Sequence, residues 1–265
     1  MAFSDSVIWI TGASSGIGEA IALELSQYKN IKLVLSARRV DELQRIAIQT
    51  GLSASNVLVL PLDMTDIDSL PAHVETVRQR FGRIDYVFQN AGISQRSLVI
   101  NTDFSVYRRI MDVNFFGVVA LTKAVLPIML AQGSGHFVVT SSVAGKLATK
   151  QRSGYSASKH ALHGFFDALR AEVHDMGLRV TLACPGYIRT AISLNALSAR
   201  GQTHGKMDEN QEKGMAPATL ARRLLRAVVQ EKEEVYIGGS EIYAIYLKRF
   251  FPGILSRILR KRQGP

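Results

Sequence analysis

The chain has 265 residues, of which 47% are hydrophobic and 20% are charged, a balance typical of a globular protein. Residues 242–265 hold six basic residues and no acidic one, and without these six the net charge of +10 becomes +4. The overall basicity therefore gives no reason to predict nucleic-acid binding. A single cysteine, Cys184, excludes a disulfide framework and a thiol cluster for zinc, and it favours a reducing compartment.

The amino-terminal residues lead directly into the first predicted element. Met1–Ser6 has no basic residue ahead of the apolar run that follows, so we interpret this run as a strand and not as a signal peptide. We expect no apolar stretch to reach the ~18–20 residues of a membrane span. These features predict a cytoplasmic protein.

A glycine-rich turn follows the first strand. Val7–Ile10 is a short apolar run, Thr11–Gly18 contains three glycines, and a helical pattern begins at Glu19. This order aims backbone N–H groups and a helix N-terminus at a pyrophosphate, although the spacing is G-x-x-x-G-x-G and not G-x-G-x-x-G. We predict a dinucleotide site that contains Gly12, Ser14, Ser15, Gly16, Ile17 and Gly18.

The residues that follow the second predicted strand indicate which dinucleotide is bound. Lys32–Ser36 is the predicted strand, and Arg38 and Arg39 stand where an NAD site would place a carboxylate. Guanidinium groups match the oxygens of a 2′-phosphate, so NADP(H) is favoured, with Arg38 as the main contact, while NAD(H) stays open. The alternative is that both arginines are ordinary surface charges.

Two further strands carry polar or small residues at their ends. Val57–Asp63 ends in an acid that either receives the adenine amino group or caps the next helix. Ile84–Phe88 precedes Asn90, Ala91 and Gly92, where Asn90 is expected to brace the sheet and the small residues to pass close to the cofactor. The alternation of strands with amphipathic stretches predicts an α/β fold: a single-domain, Rossmann-type, doubly wound parallel sheet of about seven strands with helices on both faces.

The middle of the chain contains further polar residues that are candidates for the site. Residues 101–132 are predicted to be largely helical, and Asn114 within them is either a buried amide satisfied by backbone carbonyls or a functional group. Strands over Gly135–Ser142 and Val180–Cys184 place Ser142 at the sheet edge where ligands of parallel sheets bind. The segment after the second of these strands adds Pro185, Gly186, Ile188 and Thr190 to the predicted cofactor site.

A phenol and an ammonium follow, four positions apart. On a helix Tyr155 and Lys159 share one face, and a neighbouring ammonium favours the phenolate. Ser142 offers a hydroxyl to the same substrate oxygen. The pair alone also occurs by chance on solvated helix faces.

Together these motifs resemble the short-chain dehydrogenase/reductase superfamily from Val7 to about Val235. The resemblance implies hydride transfer between NAD(P)(H) and a carbonyl or alcohol. It implies that Tyr155 is the general acid/base, that Lys159 lowers its pKa and holds the nicotinamide ribose, and that Ser142 polarises the substrate oxygen. Asn114 would hold a water that relays protons from Lys159. A homo-oligomer, dimer or tetramer, is also implied.

The sequence says less about the part of the site that would bind the substrate. Residues 1–240 are expected to form the catalytic domain, with residues 191–214 as a mobile lid. Lining residues are expected at Ile93–Ser97, Val143–Leu147 and Tyr187, with Ser142, Val143, Tyr155 and Tyr187 touching a small hydrophobic substrate. His160 and His163 are interpreted as packing or surface groups, and no metal is predicted.

The last 25 residues, 241–265, form a predicted basic amphipathic extension. It either lies on a membrane surface or packs on the protein itself or on a partner subunit. This extension and Ser36–Arg39 look most like the membrane-associated dehydrogenase/reductase branch. The predicted activity is an NADP(H)-dependent oxidoreductase, and the alternative is a catalytically silent NADP-binding regulatory or scaffold protein of the same fold.

Overall fold

Seven strands form one parallel sheet in the order β3–β2–β1–β4–β5–β6–β7. A computed structural model describes residues 3–261, so Arg262 of the basic extension lies outside the described residues. The strands are β1 (Val7–Thr11), β2 (Lys32–Ser36), β3 (Val57–Val59), β4 (Tyr86–Gln89), β5 (Gly135–Thr140), β6 (Leu178–Pro185) and β7 (Glu234–Ile237). All six pairings between neighbours are parallel, which confirms the predicted fold.

The α-helices cover both faces of this sheet. They are α1 (Gly16–Leu25), α2 (Val40–Gln49), α3 (Leu70–Phe81), α4 (Phe104–Met111), α5 (Gly117–Gln132), α6 (Ser153–Val173), α7 (Glu209–Glu212), α8 (Pro217–Val229), α9 (Tyr243–Phe250) and α10 (Pro252–Lys261). Along β1, Ile8 and Ile10 pack with α1, α2 and α8, whereas Val7 and Trp9 pack with α3, α5 and α6. Successive side chains of a strand point to opposite faces, so both faces need apolar cover.

The strand order reverses between β1 and β4, where a crevice opens at the carboxyl ends of the strands. Most predicted strands lie within two or three residues of the observed ones. The third is shorter than predicted, because it ends at Val59 and not at Asp63. The N–H groups of Leu60 and Leu62 still donate to the carbonyl oxygens of Leu35 and Ala37, and Pro61 between them, which has no N–H to donate, is tolerated because β3 is at the edge of the sheet.

A continuous helix, Phe104–Gln132, combines α4, a π-helical turn over Asp112–Phe116, and α5. Within residues 3–261, this is the one helix that is long and apolar enough to cross a membrane, judged by length and composition alone. The expectation that no apolar stretch is long enough was therefore wrong. Leu121, Val125 and Met129 are buried against the sheet. Core helices of proteins pass the same length test, so the finding is weak support for a span.

The extension forms the last two helices, α9 and α10, separated by Phe251. Pro252 begins α10, in agreement with the predicted break at Pro252–Gly253. Ile245 and Leu255 pack on Val143 and Leu147 of the sheet-edge loop. The extension therefore has one face on the body of the protein, as one of the two predicted alternatives requires.

Candidate functional site

The carboxyl ends of β1, β2, β4, β5 and β6 surround a cavity of about 1150 Å³. Most of the residues predicted for the site line it: Gly12, Ser14, Ser15, Gly16, Ile17, Arg38, Arg39, Asp63, Asn90, Ala91, Gly92, Ser142, Val143, Tyr155, Lys159, Pro185, Gly186, Tyr187, Ile188 and Thr190. Gly18 and Asn114 are not part of the lining. They act from behind it, through the contacts described below.

The glycine turn leaves no room for side chains on its inner side. Gly12 has a φ of 66°, and a Cβ there would lie 2.8 Å from the Cα of Ala91. At Gly18 a Cβ would lie 2.3 Å from the carbonyl oxygen of Gly12, so this turn of α1 packs directly on the loop. Close approach of backbone at a helix N-terminus is what a dinucleotide pyrophosphate requires, and these residues fit such a cofactor.

The two arginines at the end of β2 differ in their contacts. Arg39 donates from Nη2 to the carbonyl oxygen of Ser14 and to the hydroxyls of Ser14 and Ser15, and so supports the glycine turn. Arg38 is exposed, lines the cavity, and makes no hydrogen bond with any other residue of 3–261. Arg38 is therefore free to bind a ligand, whereas Arg39 is partly engaged.

Asp63 also lines the cavity, close enough for the charge of Arg38 to act on its carboxylate. Its Oδ1 accepts from both the N–H and the hydroxyl of Thr65, at 2.9 Å each, so its main contact stabilises its own turn. Burial opposes its ionisation, yet these hydrogen bonds and the charge of Arg38 hold the pKa of Asp63 below its ordinary value. A charged Asp63 still faces the cavity.

Asn90 links two strands, which is the bracing that the sequence predicts. Its Nδ2 donates to the carbonyl oxygen of Gly12 at 3.4 Å, and its Oδ1 accepts from the hydroxyl of Thr140 at 3.3 Å. The hydroxyl of Thr11 accepts from the N–H groups of Asn90 and Ala91. The loop after β4 is thus fixed against β1 and β5.

The loop after β6 is held by the beginning of the carboxyl-terminal extension. Glu241 accepts through Oε1 from the N–H of Tyr187 at 2.8 Å and from that of Gly239 at 3.0 Å. Gln211 donates to the carbonyl oxygen of Ile188. Tyr187 and Ile188 in the loop after β6 are therefore held in place by residues that come later in the chain, Gln211 and Glu241.

Helix α6 places Tyr155 and Lys159 on one buried face, one turn apart. Burial raises the pKa of Tyr155, while a hydrogen bond with Ser142 and the charges of Arg152 and Arg96 act in the opposite direction. From the sequence, we expect Lys159 to lower the pKa of this phenol, and a cationic cofactor ring could add to this effect. In the structure the cationic groups that oppose the rise are the two arginines.

Lys159 is held by the end of β5. Its Nζ donates to the carbonyl oxygen of Thr140 at 2.7 Å and lies 5.9 Å from the centre of the Tyr155 ring. Burial lowers the pKa of Lys159 to about 8. An ammonium with this pKa exchanges its proton near neutral pH.

Asn114 sits in the π-helical turn, a feature that is frequent at functional sites. Its Oδ1 accepts from the N–H of Ile93 at 2.8 Å, and its Nδ2 donates to the carbonyl oxygen of Ile93 and to the hydroxyl of Ser158. These are the contacts of a satisfied buried amide. A Cβ built on Gly92 would lie 3.2 Å from Oδ1 of Asn114 and 3.5 Å from Nζ of Lys159, so both groups flank the same small residue.

A buried ion cluster lies at the beginning of α6, and sequence reasoning missed it. Arg96 donates to Asp208 through Nε and Nη2, and Arg152 donates to Asp208 through Nη2 at 3.0 Å. The side chains of Arg96 and Asp208 are 2% and 3% exposed. These residues are 56 to 112 positions apart, so no local pattern could reveal the cluster.

The carboxyl-terminal extension also forms part of the cavity wall, which sequence reasoning did not predict. Tyr243, Leu247, Phe250, Leu255 and Leu259 line the cavity together with Val143 and Leu147. Their amphipathic pattern was visible, but not the surface on which the apolar face would pack. The wall gives the substrate end of the cavity a largely apolar character.

No group of three or more His, Cys, Asp or Glu side chains that could hold a metal ion occurs within residues 3–261. His163 hydrogen-bonds the hydroxyl of Ser141 at 2.9 Å, and His160 bonds the carbonyl oxygen of Ser156 at 2.8 Å. Both imidazoles have packing contacts of the predicted kind.

The nucleotide crevice and the Ser, Tyr and Lys side chains at its edge define an oxidoreductase with a Rossmann fold. The family model described as short chain dehydrogenase matches residues 6–200, and the chain belongs to this family. It is 42% identical over 263 residues to the dehydrogenase/reductase SDR family protein 7-like of Drosophila melanogaster, covering 97% of this chain and 80% of that protein. This likeness confirms the predicted branch of the superfamily.

Solved structures agree with this assignment. Levodione reductase is 28% identical with a TM-score of 0.80, over 91% of this chain and 99% of its own. The alcohol dehydrogenase of the archaeon Thermococcus sibiricus, complexed with 5-hydroxy-NADP, is 28% identical with a TM-score of 0.74, over 89% and 97%. The family and the fold bind NAD(P) cofactors, and the protein is an oxidoreductase of this kind.

Proposed function

We propose that the protein is an NADP(H)-dependent oxidoreductase that interconverts a carbonyl and an alcohol on a small hydrophobic substrate. The observation that carries this proposal is the convergence of Ser142, Tyr155 and Lys159 on one cavity that begins at the glycine turn. A dinucleotide laid along the turn would bring its reactive ring toward these three side chains. The apolar wall from α9 and α10 supports a hydrophobic substrate.

The chemistry follows from the charge that develops on the substrate oxygen. The bound cofactor supplies or accepts the hydride. Tyr155 donates its phenolic proton to the oxygen during reduction and takes it back during oxidation, which raises the rate about 10²–10⁴-fold. Ser142 donates a hydrogen bond to the same oxygen, where negative charge builds up.

Lys159 and Asn114 complete the proposed proton path. Lys159, whose pKa burial lowers to about 8, is the buried cation that would return a proton to the Tyr155 phenolate. Asn114 holds the backbone of Ile93 and supports a water between itself and Lys159 on the side of Gly92. Protons would then pass from solvent to Tyr155 without exposing the phenol.

NADP(H) is the proposed cofactor because Arg38 is exposed at the cavity and free of hydrogen bonds to the described residues. A planar guanidinium in this position can bind a 2′-phosphate with two hydrogen bonds. No carboxylate stands at the end of β2 to select the ribose hydroxyls of NAD.

We also propose that the extension places the protein on the surface of a membrane. The extension leaves Ile254 49% exposed, and Phe250 and Phe251 at the edge of the cavity are 67% and 58% exposed. The five basic residues of the described part are all exposed: Lys248, Arg249, Arg257, Arg260 and Lys261. Exposed aromatic and aliphatic groups beside cations match the interface of anionic lipids.

Flotation with vesicles tests this placement. Ile254→Asp removes an exposed apolar group from α10, and we expect a smaller fraction of the protein to float with anionic vesicles. Ile48→Asp on α2 is the matched control, since Ile48 is 80% exposed but has no part in the extension. Equal recovery of parent, Ile254→Asp and Ile48→Asp would refute the membrane contact.

A homo-oligomer, dimer or tetramer, is proposed on similar grounds. Phe104 and Phe116 on the long helix are 70% and 51% exposed, which is unusual for large aromatic groups of an isolated subunit. Sedimentation equilibrium should give a mass of two or four chains. A mass of one chain at working concentration would contradict the proposal.

The alternative function, a silent NADP-binding regulator or scaffold, is distinguished by turnover. We expect the parent protein to oxidise NADPH in the presence of at least one hydrophobic ketone or aldehyde from a broad panel. A scaffold would bind NADPH with the same affinity and oxidise it with none of them. The complete set of Ser142, Tyr155, Lys159 and Asn114 favours the enzyme, because binding alone needs no proton donor.

A further inference from the structure

The Arg96–Asp208–Arg152 cluster lies between the catalytic helix and the segment predicted to cover the substrate. Arg152 is the residue before α6 and stands three positions ahead of Tyr155. Asp208 belongs to residues 191–214, and its N–H donates to the hydroxyl of Ser193 in the same segment. One carboxylate thus ties this segment to the beginning of the catalytic helix.

The cluster carries an excess of positive charge. Two guanidinium groups share one carboxylate, and Arg152 is only partly paired, since its buried Nε has no hydrogen-bond partner among the described residues. Arg96, by contrast, also donates to the hydroxyl of Ser94 and the carbonyl oxygen of Gln95. Arg152 is therefore the less neutralised of the two cations.

Arg96, Arg152 and Tyr155 all line the same cavity. Interactions between charges are strong there because the groups are largely withdrawn from water. The other polar groups around the phenol are Ser142 after β5, Lys159 on α6 and Tyr187 after β6, whose ring lies 5.7 Å from the Arg152 guanidinium carbon. Asp208 is the anionic member of this set.

We propose that Arg152 and Asp208 are positioning residues that set the charge at the Tyr155 phenol in opposite directions. Arg152 stabilises the phenolate, and Asp208 limits this effect by neutralising part of the guanidinium charge. Asp208 also couples the balance to residues 191–214, because the carboxylate moves only with that segment. This inference rests on the proposed role of Tyr155 in proton transfer.

Two substitutions can distinguish an effect of charge on Tyr155 from a loosening of the structure. Both Arg152→Gln and Asp208→Asn remove the Arg152–Asp208 ion pair, and Asp208→Asn also removes the pair with Arg96, so any loosening of the segment acts in the same sense in both and is greater in Asp208→Asn. Their effects on charge differ in sign. Loss of the cation raises the pKa of Tyr155, whereas loss of the anion lowers it.

The primary readout is a titration that needs no turnover. The near-ultraviolet absorbance of tyrosinate is followed against pH for the full chain with NADP⁺ present, and the curve of the matching Tyr155→Phe variant is subtracted. We expect the Tyr155 titration to move up by about one pH unit in Arg152→Gln and down by about one in Asp208→Asn. Arg152→Lys, which keeps the charge, should titrate close to the parent.

Two variants on α3 serve as controls. Arg78→Gln and Glu75→Gln remove an exposed ion pair on α3 and should leave the titration unchanged. Shifts of the same sign in Arg152→Gln and Asp208→Asn, or no shift in either, would overturn the inference. If Asp208→Asn does not fold, the difference between Arg152→Lys and Arg152→Gln still isolates the charge, and equal titrations of these two would overturn it.

A second readout separates this inference from the proposed function. The pH profile of kcat/KM for NADPH-dependent reduction should move in the same directions as the titration. Opposite shifts in the titration without any turnover would contradict the proposed enzyme but support the charge balance. Turnover with an unaltered pH profile and titration would support the enzyme and reject the balance.

Discussion

Gly18 is the position where one methyl group should cost most at the cofactor site. In Gly18→Ala the new Cβ would lie 2.3 Å from the carbonyl oxygen of Gly12 and 2.8 Å from Nδ2 of Asn90. Backbone atoms cannot move aside as a flexible side chain can, so we assign a strain of about 1–3 kcal/mol. The higher helix propensity of alanine offsets about 0.5–1 kcal/mol of this, which leaves a net loss of about 1 kcal/mol in the middle of the two ranges and up to about 2.5 kcal/mol.

Denaturant and thermal unfolding measure this loss. A fall in Tm of roughly 2–8 °C is expected for a chain of this size, together with weaker NADP binding because Gly12 and Asn90 are displaced. Gly164→Ala in α6 is the matched control, since its Cβ would meet nothing within 4 Å. It should gain about 0.5–1 kcal/mol from propensity alone. Equal stabilities of Gly18→Ala and the parent would refute the close packing of α1 on the turn.

Two further predictions concern single charges. Arg38→Gln should raise the Kd for NADP about 10-fold or more and leave the Kd for NAD nearly unchanged. Calorimetry measures both constants, with Arg80→Gln as the control variant. Equal effects on the two cofactors would contradict the 2′-phosphate contact. Burial opposes the charge of Glu234, but hydrogen bonds from His163, Lys146 and Tyr236 lower its pKa from 4.5 to about 2. Its contribution to stability is thus present above pH 4.5 and lost as the pH falls toward 2, so Glu234→Gln should destabilise the protein more at about pH 7 than at about pH 3.

The sheet and the placement of Tyr155 and Lys159 on one face at the cavity could be predicted because their signals are local. Val7–Ile10 and Lys32–Ser36 are short β-branched runs, and the spacing of Tyr155 and Lys159 is read directly from the helix period. The strand from Val57 was predicted too long, because the apolar run continues past Val59, where the regular strand ends, and Leu60 and Leu62 still hydrogen-bond to the chain after β2.

Long-range contacts account for what could not be predicted. Arg96 and Asp208 are 112 residues apart, and nothing near either one marks it as buried. The extension showed its amphipathic pattern, but an apolar face does not reveal its partner, and Leu255 packs on Leu147 across more than a hundred residues. The environment of Tyr155 is likewise set by the fold, since burial raises its pKa and the charges of Arg152 and Arg96 oppose that rise.

The most direct test of the proposed function compares the parent with Tyr155→Phe, using the carbonyl compound that the parent reduces fastest. We expect kcat for NADPH oxidation to fall by about 10² or more, because the proton donor is lost, while the Kd for NADPH stays within a few-fold. The phenyl ring keeps the packing of α6, so the melting temperature of the variant is measured alongside. Turnover of Tyr155→Phe close to that of the parent, with NADPH binding intact, would contradict the role of Tyr155 as the acid/base.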